Sequence, residues 1–150
     1  MDLFTVAVTC LALNLYHEAR GEPIEGQLAV AQVVLTRAKK EQKKVCEIVL
    51  APSQFSWTTQ GVWWLDGKPH LAVTHRPKNV PENELAWATS MRVARRALGR
   101  EKIDVVGDSS FYHVCSMNRL PHWVPHVEFV KSVGNHCFYR GDGKARGVDI

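Results

Sequence analysis

A chain of 150 residues can close one hydrophobic core and is short for two, so a single domain over residues 1–150 is expected. With 45% hydrophobic and 23% charged residues its make-up is that of a globular protein, and no run reaches the roughly 20 apolar residues of a membrane span, which argues against stable membrane insertion. The net charge of +4 suits an anionic partner, yet the densest basic cluster, Lys39-Lys40 with Lys43-Lys44, reads as a solvated helix end, so nucleic acid is not expected.

Residues 3–13 are apolar, but Asp2 stands where a secretion leader has a basic start and no small-residue cleavage site follows. They read as a core helix, and the protein is expected to be made in the cytoplasm without a recognisable signal peptide. Leu3, Val6, Ala7, Cys10, Leu11 and Leu13-Asn14 recur at helical spacing. Asp2 is the candidate N-cap, and Arg20, Gly21 and Pro23 form the stop, with Gly21 expected in the left-handed region.

This places Glu18 in the last turn, at the negative end of the helix dipole, where an ionised carboxylate is disfavoured. Glu22 would add like-charge repulsion, and partial burial would act in the same direction, so the Glu18 pKa is expected to rise. Arg20 lies two residues on, about 200° around the helix, and should point away. A carboxylic acid held neutral near pH 7 is what glycosidic cleavage asks of a general acid. Without that burial, Glu18 and Glu22 would be two solvated charges at a helix end.

Pro23 suits the first turn of a second helix, with Glu22 and Glu25 near its positive end. Gln27 to Leu35 is apolar nearly all round, which predicts a buried helix that ends in a solvated segment from Arg37 to Lys44. Gly26, Ala29 and Ala31 would let the first helix approach closely and give Glu18 a rigid support. Val45 to Leu50 reads as a short apolar turn or helix, broken at Pro52. Gln54-Phe55-Ser56-Trp57 then puts aromatic and polar side chains into a loop, where ligand contacts concentrate.

Val62 to Leu65, Asp66-Gly67, and Lys68 to Val73 read as a β-hairpin about a type I′ turn, with Pro69 confining the second strand to an edge. Residues 74–82 read as irregular. A further helix follows, capped by Asn83, carrying Leu85, Ala88, Met91, Ala94, Ala97 and Leu98 inward and ending at Gly99; Arg92, Arg95, Arg96 and Arg100 line its wet face. Ser109 to Val114, Val127 to Val133 and His136 to Tyr139 read as short strands, with Gly134-Asn135 as the turn between the last two, and residues 141–150 as a loose tail.

The four cysteines, Cys10, Cys46, Cys115 and Cys137, have no C-x-x-C spacing. They allow three disulfide pairings, but without a leader free buried thiols are the expectation. Seven histidines are present, and His113 with Cys115, His122 with His126, and His136-Cys137 crowd one region; these are zinc-ligand types, so a zinc-dependent amidase or peptidase is an alternative reading. Against it, Pro125 interrupts a helix across His122 and His126, and there is no H-E-x-x-H motif. No metal or other cofactor is therefore expected. A wall- or nucleic-acid-binding module without activity is a third class.

In order, the chain carries Glu18-Ala19-Arg20-Gly21-Glu22 with Glu25-Gly26-Gln27; Val33-Val34-Leu35-Thr36-Arg37; Val45-Cys46-Glu47-Ile48-Val49; and Gln54-Phe55-Ser56-Trp57. Phe111-Tyr112-His113, Pro121-His122-Trp123 and Gly134-Asn135-His136-Cys137-Phe138-Tyr139 follow. Over about residues 10 to 140 this pattern resembles the cell-wall hydrolase family typified by the catalytic domain of spore cortex-lytic enzymes. The resemblance implies an α+β, lysozyme-like fold, a helical core with a small β lobe forming a cleft, and cleavage of peptidoglycan glycan strands between N-acetylmuramic acid and N-acetylglucosamine. It implies Glu18 as the catalytic acid.

Lytic transglycosylation, which needs one acid, is the expected chemistry, with muramidase hydrolysis of the same bond as the alternative. Glu22, Asp66, Asp104, Asp108 and Glu128 are candidates for a second carboxylate; for Glu22, capping the second helix or bonding to the loop beyond it is preferred. Glu22, Gln54, Ser56, Trp57, Tyr112, His113, Trp123 and His136 are the expected substrate-binding residues, Trp123 by stacking on a sugar. A compact version of this kind is expected to act as a monomer and an endolysin, reaching the wall once the membrane is permeabilised.

Overall fold

In a computed structural model the described residues are 2–51, 63–65, 68–70 and 83–141, with side chains described for 2–51 and 83–141. The first helix, α1 (Leu3–Ala19), starts where the Asp2 carboxylate accepts the Thr5 N–H at 2.8 Å. Its outer turn faces water, with Leu3 79% and Phe4 51% exposed, and from Cys10 to Tyr16 every residue is buried. Burial all round makes α1, as well as α2, a central helix. The helix stops at Ala19, and Gly21 does not adopt a positive φ, contrary to expectation. The turn is closed instead by the Glu22 N–H donating to Ala19 O at 2.9 Å.

Helix α2 (Ile24–Glu41) has Pro23 as its N-cap, one residue ahead of the first-turn position expected. Gly26, Ala29, Val30, Ala31, Val33 and Val34 are buried, and α2 packs on α1; a Cβ on Gly26 would meet Glu22 and Pro23, in the turn between the two helices. The helix persists through Arg37 to Glu41 and ends at Gln42, whose φ of 53° is the left-handed conformation common at helix C-termini. Arg37 is a correction: its side chain is only 15% exposed, because the helix carries it inward before the chain reaches solvent. Helix α3 (Val45–Val49) buries Ile48 and Val49 and packs on α1 and α2.

Strands β1 (Trp63–Leu65) and β2 (Lys68–His70) pair antiparallel with Trp63 opposite His70, which is the hairpin expected around Asp66-Gly67. Helix α4 (Glu84–Leu98) is capped by Asn83, whose side chain accepts the Ala86 N–H, and closes at Gly99. It lies against α1 and α2 through Ser90, Val93, Ala94 and Ala97, whereas Leu85 (83% exposed) and Ala88 face water rather than the core.

The second sheet contains β3 (Phe111–Val114), β4 (Glu128–Val133) and β5 (His136–Arg140), antiparallel in the order β3-β5-β4, with a register shift between Phe129 and Lys131. Gly134 turns β4 into β5 at φ +58°. Alternation splits the sheet into two faces. Tyr112, Phe138 and Val133 join the helical core, while Phe111 and Tyr139 pack with Trp123 in a second cluster on the opposite side. A helical core with a small antiparallel sheet is the α+β, lysozyme-like architecture expected.

The free-thiol expectation is overturned. Cys10 bonds Cys46 and Cys115 bonds Cys137, with Cα atoms 5.3 and 5.2 Å apart, and no cysteine is free. The first bridge ties α1 to α3, and the second fastens the chain just after β3 to β5. The fold brings each pair together from 36 and 22 residues away, a closeness that sequence spacing does not reveal. Of the tail expected over 141–150, residues 142–150 lie outside the described residues.

Candidate active site

The last turn of α1 sets Glu18 against β3. The carboxyl is half-buried, and its Oε2 accepts the Tyr112 hydroxyl at 3.2 Å. Burial raises the Glu18 pKa from 4.5 to about 7, against the smaller downward pull of the Tyr112 hydrogen bond. The direction is the expected one, but desolvation dominates and the Glu22 charge is not among the causes. The neighbouring His17 is itself held down to about 4, by burial and then by Arg20, so it is neutral at pH 7 and supplies no cation to favour an ionised Glu18. Arg20 points elsewhere, its guanidinium lying 4.7 Å from the centroid of the Tyr16 ring.

Tyr112 is 1% exposed, and burial holds its hydroxyl well above the ordinary tyrosine range. Its oxygen has a second partner in the side chain of Asn14, which lies one turn before Glu18 on α1, and it feels the charge of Arg37 from α2. Three elements thus converge on one phenol: α1 through Asn14 and Glu18, α2 through Arg37, and β3 through Tyr112 itself. Asn14 and Arg37 were not singled out from sequence as site residues. The available signal was a lone amide between Leu13 and Leu15, four residues before the acid.

Glu22 is engaged by a different set of groups, with its side chain 6% exposed. His136 Nδ1 lies 2.8 Å from Oε1, and the Asn135 backbone N–H donates to both oxygens at 3.1 and 3.2 Å. A Cβ at Gly134 would lie 2.5 Å from Oε2, so the turn approaches this closely only because residue 134 is glycine. For His136 the cost of burial outweighs the attraction of Glu22, and its pKa is lowered. The neutral ring then donates from Nδ1 to the carboxylate. Glu22 does not cap α2; its bonds go to the β4–β5 turn.

The other expected site residues divide. His113 is 6% exposed, with Nδ1 2.8 Å from Val114 O and Nε2 2.7 Å from the Tyr139 hydroxyl, so both ring nitrogens are occupied inside the protein. Trp123 is 2% exposed, its ring packed on Phe111, His113 and Tyr139, so the face expected to stack on a sugar is covered by aromatic neighbours. Gln54, Ser56 and Trp57 lie outside the described residues. Of the candidates for a second carboxylate, Asp108 pairs with Arg140 at 3.1 Å, Asp104 accepts from Gly107 N–H at 3.2 Å, and Glu128 is exposed. Asp66 is outside the described residues.

The zinc reading is corrected by the same geometry. The Cys115 and Cys137 thiols are spent in a disulfide, His113 and His136 are bonded to protein groups, and among the described residues no three His, Cys, Asp or Glu side chains form a group able to hold a metal ion.

The family model described as Cell Wall Hydrolase matches residues 21–139. A spore cortex-lytic enzyme of Oceanobacillus iheyensis is 38% identical over 61 residues, which is 39% of this chain and 22% of that enzyme's length. The catalytic domain of the germination-specific lytic transglycosylase SleB from Bacillus anthracis superposes with a TM-score of 0.65 at 22% identity, covering 93% of this chain and 97% of that domain.

Proposed function

The chain belongs to the cell wall hydrolase family, and from that premise we propose that it cleaves peptidoglycan glycan strands between N-acetylmuramic acid and N-acetylglucosamine, with Glu18 as general acid and then base. The observation that carries this reading is the half-buried Glu18 carboxyl, held protonated up to about pH 7 at the end of a rigid helix. Glu18 gives its proton to the bridging oxygen as the bond to the muramic acid C1 breaks. The resulting carboxylate takes the proton of that sugar's C6 hydroxyl as O6 attacks C1. Carbon loses one oxygen partner and gains another, Glu18 regains its proton, and no water is consumed.

This lytic transglycosylation is favoured over hydrolysis because hydrolysis by either standard route uses two carboxylates. Among the described residues, the Glu22 carboxylate is already engaged by His136 and Asn135. Gln54, Ser56 and Trp57 are proposed to bind the N-acetyl and hydroxyl groups of the strand, and Tyr112 to steady Glu18. The protein is proposed to act as a monomeric endolysin, working on the wall of the cell envelope after the membrane is opened. Among the described residues no helix is long and apolar enough to cross a membrane.

Digestion of purified peptidoglycan in isotopically labelled water tests the chemistry. Anhydro-muramic ends without label are expected; labelled reducing ends would establish the muramidase route. Induction in intact cells, with and without a membrane-permeabilising agent, tests the endolysin role, with lysis expected only when the agent is added.

A further inference from the structure

The Glu22 carboxylate is buried within a set of donors that has no evident purpose in binding a ligand. His136 Nδ1, the Asn135 N–H and, more distantly, Asn135 Nδ2 at 3.4 Å converge on its two oxygens, and Gly134 leaves the space for the contact. A carboxylate 6% exposed and so engaged has no open position for a water molecule or a sugar carbon. Its contacts lead toward the acid instead. The His136 ring stands edge-on to Tyr112, with centroids 5.3 Å apart and planes at 85°, and Tyr112 donates to Glu18. The two rings lie on one face of the sheet, since Val114 pairs with His136 and Tyr112 with Phe138.

We propose that Glu22 is a positioning residue: it fastens the β4–β5 turn and His136 so that Tyr112 keeps its hydroxyl on Glu18, and it is not a second reacting carboxylate. This rests on the reading of Glu18 as the acid. Glu22 joins α1 to β5 at the point where the helix bearing the acid ends, so loosening it lets the sheet and the helix end move apart. The groups that carry charge or titrate around the clamp and the phenol it positions are Glu18, Tyr112, His113 and Arg37. A shift of this kind costs rate more than affinity, because misplacement by a fraction of an ångström weakens the reacting geometry and leaves sugar binding in place.

The test compares Glu22→Gln, Tyr112→Phe and the double variant on purified peptidoglycan, with and without sodium azide. Glutamine presents one acceptor oxygen where several donors meet. The expected result is a fall in kcat of about 10-fold to 100-fold for Glu22→Gln with KM within about twofold, no rescue by azide, and little further loss when the substitution is added to Tyr112→Phe. Restoration by azide, or the full loss persisting in the Tyr112→Phe background, would overturn the proposal.

Gly134→Ala provides a second probe, since it pushes the turn off the carboxylate while leaving Glu22 in place; the same kinetic signature is expected. A fully active Gly134→Ala protein whose Asn135 amide has lost its protection from hydrogen exchange would overturn the clamp. If wild-type protein releases no glycan product, the proposed function fails, and the clamp is judged by NMR titration of the Glu18 carboxyl. Glu22→Gln should move that titration upward from about 7, as loss of the Tyr112 bond does, and an unmoved or lowered value would overturn the clamp.

Discussion

The Tyr112 hydroxyl donates to Oε2 of Glu18 at 3.2 Å, joining β3 to the last turn of α1 between residues 94 positions apart. The bond works against the burial that surrounds it, since it favours the ionised acid while desolvation favours the neutral one, and desolvation is the larger. The acid is left with a proton it releases near neutrality.

The pH–rate profile of the wild-type protein should reflect this. With Glu18 as the proposed acid, kcat/KM on soluble glycan fragments is expected to fall above about pH 7, tenfold per unit once the group is ionised. A profile flat to pH 9 would place the essential acid elsewhere.

Stability gives an independent check on the same proton. The folded pKa of about 7 lies above the unfolded value of 4.5, so the neutral Glu18 contributes its stability fully below pH 4.5 and loses it as pH rises toward 7. Glu18→Gln removes this slope. It should abolish cleavage and leave the fold intact, and at pH 8 it should make the protein more stable than wild type by up to about 3 kcal/mol, with little difference at pH 4. Urea unfolding at the two pH values measures the gap.

Tyr112→Phe keeps the ring and deletes the donor. Because that hydrogen bond lowers the Glu18 pKa, its loss should move the alkaline limb of activity upward. Asn14 also loses its partner on the phenol, and a destabilisation of about 1–2 kcal/mol is expected from the unmade hydrogen bonds. A downward shift of the limb would contradict the geometry.

How much of this was legible in the residues differs from part to part. Asp2, Asn83 and Gly99 marked helix ends correctly because capping is local chemistry, and Gly134-Asn135 marked its turn for the same reason. Glu18 was legible through its place at a helix end and the motif around it. Its partners were not: Tyr112 reaches it from another element, and a sequence carries no sign of which face of a strand will meet which helix. Arg37 looked like surface because it opens a run of charges, yet the helix continues past it and turns it inward. Trp123 and His113 looked like ligand groups because their types are common in binding sites; the sheet has a second buried face, and they fill it.

The disulfides were misjudged for a related reason, and they carry a prediction of their own. Closing loops of 36 and 22 residues, they should stabilise the chain by about 3–4 kcal/mol each. Reduction under native conditions should lower the melting temperature, and serine at Cys115 and Cys137 should cost more activity than serine at Cys10 and Cys46, because the former pair holds the ends of the strands that carry Tyr112 and His136. Equal losses from the two pairs would argue against that placement.

At Gly134 the missing side chain has a bearing on how relatives of this protein can diverge. Any atom added there would occupy space already held by the carboxylate at position 22. The two positions are far apart in the chain, yet 134 cannot drift alone: a lineage that gains a methyl group there must shorten or redirect residue 22, and must also bear the strain of a side chain at φ +58°. Natural variation at 134 should therefore come with a matched change at 22.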